Sequence, residues 1–255
     1  EYLRQRRAKQ ESSSESSPSS NVWILKPSIG TRSQGHVITN SLIHAIRLLE
    51  VDSNRVAQKF VERPLLWKGS KKFDMRFIVC VRSCSPVELY VYNAFWTRVS
   101  NKPYCSNGHE NVWEDNQKAL TAMWVLDGVE QDGQLPDCEE VVAGIRELYP
   151  LLNWSDILMD IHKMLRELFH GVSSKQPNGM ACKRARALYG CDVILEAVEG
   201  EGNSVTKVEP KLLEVTFVPS NSAVNPLFSK QYPSYVNDVF GCLFLGETNN
   251  LTRLL

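Results

Sequence analysis

The stretch that decides the fold is Lys211-Leu212-Leu213-Glu214-Val215-Thr216-Phe217-Val218-Pro219. Read as a β-strand it alternates faces, so Glu214 and Thr216 point one way and Val215 and Phe217 the other. A carboxylate two residues from a second oxygen donor, on a strand with an apolar back, suits a hard cation. Upstream, Leu188-Tyr189-Gly190-Cys191-Asp192-Val193-Ile194-Leu195 reads as another strand with one acid in an apolar run. If the two strands pair, Asp192 can join Glu214 and Thr216 around Mg²⁺, which in proteins usually accompanies a nucleotide phosphate. Inward acids on paired strands also occur without a metal, and these residues alone leave both readings open.

Composition narrows the class. The 255 residues suffice for one large domain or two small ones, and 43% hydrophobic with 23% charged residues fits a soluble globular chain. Lysine and arginine equal aspartate and glutamate at 29 each, so no net field points to nucleic acid or a membrane surface. The seven cysteines include no CxxC pair and no zinc spacing; an odd count within apolar strands fits reduced thiols of the cytosol or nucleus. The five histidines show no ligand spacing. No apolar run reaches membrane-spanning length, and no signal peptide is evident. The chain opens on Glu1, which leads us to expect that a further N-terminal region precedes it. Residues 1–20 are Arg-rich, then Ser-rich, and read as a disordered linker or insertion, with an ordered domain over 21–255.

From Val22 the chain reads as a short buried strand ending at Lys26-Pro27, then a polar loop containing Gly30 and Gly35. That spacing matches a Walker A loop, but His36-Val37 stand where Lys-Ser/Thr is needed, so the P-loop reading fails. A mobile loop over phosphates and an ordinary surface turn both remain open. Thr39-Asn40-Ser41 caps a helix with Leu42, Ile43, Ile46 and Leu49 at helical spacing, and 56–61 is a strand. After the basic linker 68–72, Phe73, Met75, Phe77, Val79 and Val81 share one strand face, with Asp74 and Arg76 on the other. Beside Lys72, that acid and base form either a surface ion pair or the wall of an anion-binding cleft. The strand's antiparallel partner runs over 87–96 and leads to Arg98. The span 105–136 reads as polar loop with one short strand near Met123. Asp137 and Glu140 make a capping box for a helix through Leu148. Ser155 caps a longer helix that buries Ile157, Ile161, Leu165 and Leu168 and ends at Gly171. Residues 197–210 form the turn between the acidic strands. A closing helix from Ser234 carries Val236, Val239, Phe240 and Leu243 on its apolar side.

These pieces, in this order, resemble the catalytic domain of the tubulin–tyrosine ligase-like family. The most specific parts are Lys72-Phe73-Asp74-Met75-Arg76 and Leu213-Glu214-Val215 with Pro219, while Phe95-Trp96-Thr97-Arg98-Val99-Ser100-Asn101 and the closing Tyr232-Pro233-Ser234-Tyr235-Val236-Asn237-Asp238-Val239-Phe240 are similar to one branch of the family. The resemblance runs from Val22 to about Leu245. It implies an α+β ATP-grasp fold, with ATP held between two mainly antiparallel sheets. It also implies an ATP- and Mg²⁺-dependent ligase that joins an amino acid to a carboxylate of the tubulin tail through an acyl phosphate.

By the same resemblance Lys26 contacts ATP phosphates, and Gln58, Lys59, Phe60 and Val61 form the hinge whose backbone holds adenine. Lys72, Asp74 and Arg76 line the cleft, and Arg98 faces the γ-phosphate and acceptor. Asp192 and Glu214 hold Mg²⁺. Thr216 stands where the family has Asn; its shorter arm weakens a second metal and turnover with it. The implied partner is tubulin, through the α-tubulin C-terminal tail, to which Lys68, Lys71, Lys183, Arg184 and Arg186 could respond. The implied location is the cytoplasm and its cytoskeleton, with the nucleus as a second site. The rival is a pseudoenzyme that binds tubulin, histone or chromatin proteins without ligating anything. A polyglutamylase, as a third reading, calls for a basic microtubule-binding segment after the domain. Arg98 is expected to serve ligand rather than fold, so that Arg98→Ala leaves thermal stability nearly unchanged.

Overall fold

The computed structural model of the chain describes residues 21–29, 33–51, 54–104, 112–121, 135–175, 184–199, 204–219 and 234–255. The segment 1–20, Gly30, Lys183 and the strand expected near Met123 lie outside them. The chain divides into two compact units, Glu1–Ile29 with Gly35–Phe60, and Gly30–Gln34 with Val61–Leu255.

The smaller unit is an antiparallel sheet of three strands, β1 (Trp23–Pro27), β2 (Val37–Thr39) and β3 (Arg55–Lys59), in the order β2-β1-β3. The central strand is the apolar one, and Ile24 and Leu25 are buried. Between β2 and β3 runs α1 (Leu42–Val51), started by Ser41, whose hydroxyl accepts the His44 amide at 3.3 Å. Of the three residues expected to cap it, Thr39 ends β2 instead, and its hydroxyl accepts the Ser41 amide at 3.0 Å. The apolar residues of α1 have the expected spacing, yet Leu42, Ile43, Ile46 and Leu49 are all exposed. Gly35 is needed for its backbone: its φ of +69° belongs to the left-handed region, and its carbonyl accepts Arg55 Nη1 at 2.8 Å.

The larger unit is built on a six-stranded antiparallel sheet. Its strands are β4 (Leu66–Trp67), β5 (Lys71–Cys84), β6 (Val87–Val99), β7 (Ala187–Glu199), β8 (Val205–Phe217) and β9 (Leu251–Arg253). They lie in the order β8-β7-β5-β6-β9, with β4 added to the end of β5. The period-2 reading of β5 holds. Phe73, Met75, Phe77, Val79 and Val81 belong to a core shared with α3 (Cys138–Leu148) and α4 (Trp154–Lys175), which contribute Val141, Ile145, Ile157, Ile161 and Leu165. The opposite face splits in two. Ile78, Cys80, Tyr90, Tyr92 and Trp96 form a second core with Tyr235, Val239, Cys242 and Leu243, from α5 (Tyr235–Phe240) and the π-helical turn Gly241–Leu245 that continues it. The rest of that face carries charge.

Several local expectations are corrected. The acidic strands pair as expected, but they extend to Glu199 and from Val205, so the turn is far shorter than 197–210. The capping box of α3 is present in both directions. For α4 the cap is Asn153, whose side chain accepts the Ser155 amide at 3.0 Å. That helix runs through Gly171 to Lys175 because Phe169 keeps it packed on the sheet; Leu168 is only partly buried. At the C-terminal end, Val236 and Phe240 are exposed while Tyr235, Val239, Cys242 and Leu243 are buried, so the apolar stripe is rotated from the one expected. A 3-10 turn (Val112–Glu114) and the short α2 (Asn116–Ala119), capped by Asp115, occupy part of the span read as loop.

Candidate functional site

The charged part of the sheet face is a rank of side chains that the antiparallel register lines up. Asp74 lies opposite Arg98 across β5 and β6, and Arg76 lies opposite Asp192 across β5 and β7. Asp192 in turn lies opposite Glu214, and Gly190 opposite Thr216, across β7 and β8. Period 2 puts Asp74 with Arg76, and Glu214 with Thr216, on one side of their strands. Strand order then brings residues 116 positions apart into a fork-to-fork pair: Arg76 donates Nε to Asp192 Oδ1 at 2.6 Å and Nη2 to Oδ2 at 2.8 Å.

Arg98 sits between the two aspartates. Its Nε reaches Asp74 Oδ1 at 2.8 Å, and its Nη2 lies 2.6 Å from both Asp74 Oδ1 and Asp192 Oδ2. The hydroxyl of Thr121 donates to the remaining oxygen, Asp74 Oδ2. Both aspartate side chains are 1% exposed and both arginines 14%. Charges this far from water persist only when paired and hydrogen-bonded, and this quartet meets that condition among its own members.

The two aspartates titrate differently. Burial pushes Asp192 up, but the charge of Arg98 and the hydrogen bond and charge of Arg76 outweigh it and hold its carboxyl below the usual range. Asp74 goes the other way: burial, helped by the neighbouring charge of Asp192, raises it despite Arg98 and Thr121. Burial works against the Arg98 guanidinium, yet the two aspartates hold its pKa above the usual arginine value.

This geometry counts against the expectation that Arg98 is indifferent to the fold: its removal would take a charged partner from Asp74 and from Asp192, leaving Asp192 to Arg76 and Asp74 to the Thr121 hydroxyl.

Lys72 is buried on β5 rather than part of a basic linker. Its ammonium lies 5.3 Å from the ring centroid of Tyr104, which Ser70 and Glu62 hold through the Tyr104 amide (2.6 Å) and hydroxyl (3.1 Å). Glu214 is exposed and accepts the Thr216 hydroxyl at 2.9 Å. Among the described residues no three His, Cys, Asp or Glu side chains gather as a metal cage. What the sheet offers is two facing carboxylates, Asp192 and Glu214, with the Thr216 hydroxyl alongside. Hard oxygen donors in that number fit Mg²⁺, which takes one or two protein carboxylates and completes its shell with water and phosphate.

The other expected residues lie in the smaller unit or at its border. Lys26 is on β1 and Gln58 and Lys59 on β3, while Phe60 and Val61 are buried just beyond. The Phe60 amide donates to the Val22 carbonyl at 3.0 Å and Lys59 Nζ reaches the same oxygen at 3.2 Å, so both donors serve the sheet. Of the basic residues assigned to an acidic tail, Arg186 donates Nε to the Leu243 carbonyl at 2.9 Å and holds the π-helical turn.

Sequence reasoning missed two members. Thr121 follows α2 in a polar stretch with no periodic signal. Gly190 was readable: glycine inside an apolar strand beside an acid marks a close approach. A Cβ there would lie 3.0 Å from Pro219 Cβ, 3.2 Å from Arg76 Cδ and 3.4 Å from Arg76 Nε. The arginine crosses to Asp192 over the space that Gly190 leaves.

Comparison with known proteins identifies the family. The model of the tubulin-tyrosine ligase family matches residues 1–251, which includes the segment before Asn21. Tubulin–tyrosine ligase-like protein 12 of Mus musculus is 33% identical over 245 residues, covering 92% of this chain and 36% of the mouse protein. The Homo sapiens protein of the same name is 34% identical over 236 residues, covering 89% of this chain and 34% of its own length. Tubulin glycylase 3E of Tetrahymena thermophila is 24% identical over 245 residues, 91% of this chain and 16% of that protein. The chain thus spans about a third of the length of the relatives it matches at 33–34% identity. With α+β architecture, two mainly antiparallel sheets and a family match over nearly its whole length, the chain belongs to the tubulin-tyrosine ligase family.

Proposed function

We propose that this chain is the nucleotide-dependent ligase-like domain of a protein that modifies or binds tubulin, using ATP and Mg²⁺ to join an amino acid to a carboxylate of the tubulin tail. The observation that carries this is the rank Arg98–Asp74–Arg76–Asp192–Glu214. It combines two guanidiniums with facing carboxylates on one sheet, on the part of the face that the second core does not occupy. ATP, when bound, supplies the phosphoryl group that activates the acceptor carboxylate.

This chain's own residues have electrostatic and positioning tasks. Arg76 and Arg98 bring N–H donors to charge that develops on a transferring group, and the aspartates beside them fix where those donors lie. Asp192 and Glu214 would hold Mg²⁺, with Thr216 beside them. Lys26 would meet phosphate from the end of β1. The segment Gln58–Val61 would border adenine with groups other than the Phe60 amide. Tubulin as partner rests on the family and on relatives named as tubulin glycylases and polyglutamylases. A cytoplasmic, cytoskeletal location follows from that partner.

The pseudoenzyme reading is favoured by one observation. The Thr216 hydroxyl is already turned onto Glu214, so the position adds little to a second metal. Calorimetry with Mg²⁺ and ATP, followed by incorporation of labelled amino acids into detyrosinated tubulin, separates the cases. Binding with incorporation supports the ligase, and binding without it the pseudoenzyme. No ATP binding by the folded full-length protein sinks both nucleotide readings.

A further inference from the structure

The two arginines are not waiting for an anion; each is already neutralised. Asp192 alone satisfies one N–H of Arg98 and two of Arg76, within 2.8 Å. Asp74 and Asp192 together balance the two guanidiniums, so neither arginine offers an uncompensated charge to a phosphate. A divalent cation shared between Asp192 and Glu214, which lie opposite each other across β7 and β8, shifts that balance toward positive. It also competes for the electron pairs of Asp192 that the arginines now use, because Oδ2 accepts from both of them.

We propose that Asp192 is a shared counter-ion that couples the two ligands: until a divalent cation takes part of its charge, Arg76 and Arg98 are poor anion receptors. This rests on the ligase-like reading for the identity of the site and adds to it a rule of binding order. Metal and oxyanion then bind synergistically even when neither is part of a nucleotide. Linkage requires the effect to be reciprocal, so metal affinity rises with anion by the factor that anion affinity rises with metal. The geometry favours this over simple additive attraction. A cation held by Glu214 alone would act on the arginines only through solvent, whereas Asp192 is in direct contact with both and is screened by almost no water.

The test uses the chain in its present form and sulfate, an oxyanion that chelates Mg²⁺ weakly. Sulfate binding is measured by calorimetry in EDTA and in saturating Mg²⁺, and free Mn²⁺ is followed by its paramagnetic resonance signal with and without sulfate. Sulfate affinity should rise on the order of tenfold or more with Mg²⁺, and Mn²⁺ affinity by a matching factor with sulfate. Glu214→Gln, an exposed change, should weaken Mn²⁺ binding and leave sulfate affinity in EDTA no lower than in the native chain. Asp192→Asn, if it folds, should bind sulfate in EDTA and lose the Mg²⁺ dependence. Equal sulfate affinity with and without Mg²⁺ in the native chain overturns the proposal, as does a Glu214→Gln chain that keeps the full metal effect. If ATP binds with Mg²⁺ but sulfate shows no coupling, the counter-ion idea fails and the nucleotide reading stands. If sulfate and Mn²⁺ couple but ATP never binds, the reverse holds.

Discussion

Gly190→Ala isolates the packing that seats Arg76. No positive φ is involved, so what glycine provides is space. The added methyl would meet Pro219 Cβ at 3.0 Å and Arg76 Cδ at 3.2 Å, tighter than ordinary carbon contacts, with Arg76 Nε at 3.4 Å. Proline cannot yield by rotation, so Arg76 gives way by a few tenths of an ångström. That is enough to lengthen a fork whose arms are 2.6 and 2.8 Å. Overpacking of this kind costs about 1–3 kcal/mol, less up to ~1 kcal/mol regained from removing a strand glycine. At roughly 2–4 °C per kcal/mol for a domain of this size, the net cost of about 0–3 kcal/mol should lower the melting temperature by up to about 12 °C. Gly171→Ala is the matched control: a Cβ there meets nothing within 4 Å, and the residue lies inside α4. It should stabilise by about 0.5–1 kcal/mol. The assay is thermal unfolding of both variants beside the native chain, with ATP or sulfate affinity measured in Mg²⁺. If Gly190→Ala melts no lower than Gly171→Ala and binds the anion unchanged, the crossing of Arg76 over Gly190 is not a constraint.

Other substitutions probe other links. Arg98→Ala leaves two buried carboxylates short of a partner and should destabilise by about 3–5 kcal/mol in denaturant titration; a change under 1 kcal/mol would restore a purely ligand-serving role. Asp74 is raised from its ordinary 3.8, so its contribution to stability is full below that value and declines as pH rises through its folded pKa. Asp192 is lowered, and its contribution, full above 3.8, is lost as pH falls through its own folded pKa. Urea midpoints of Asp74→Asn and the native chain, compared from pH 4 upward, should therefore lose the declining component in the variant. Lys26→Ala should weaken ATP by about 1–3 kcal/mol by calorimetry if the ammonium meets phosphate. Thr216→Asn should raise turnover more than ATP affinity; ligation already at full rate in the native chain and unchanged in the variant would show that one shorter side chain is not the limit.

The pattern of what was legible follows from the range of the forces involved. Period-2 alternation in β5 and the capping box of α3 are local, set by residues within a turn or a strand of one another, and both were readable. The cap of α4 was misplaced by two residues because Asn153 and Ser155 are both good caps, and only the observed bond to the Ser155 amide decides between them. Gly171 looked like a terminator, but a glycine costs a helix only about 1 kcal/mol, and packing of Phe169 beside it exceeds that. The same tertiary override turned the stripe of α5, where the buried set includes Cys242 and Leu243 of the π-helical turn that follows.

Assembly of the site depends on strand order, and strand order is not local. Asp192 with Glu214 and Thr216, Asp74 with Arg76, and Arg98 by itself are each legible from their strands, but as separate groups and not as one connected rank. Only the order β8-β7-β5-β6 makes them neighbours, and only the register makes Asp192 face Arg76 rather than open solvent. That changes their chemistry more than their identity. An isolated strand aspartate is a metal ligand with spare lone pairs. The same aspartate in contact with two guanidiniums is first a counter-ion, and it can bind a cation only by loosening its hold on the arginines. Any ligand that engages one member of the rank therefore alters the charge seen by the rest. The site responds as one electrostatic unit, and single substitutions within it should be strongly non-additive. The double variant Arg76→Met with Asp192→Leu, which removes a charged pair together, should cost less than the sum of its parts. Strict additivity in denaturant titrations of that cycle would mean the four charges act independently.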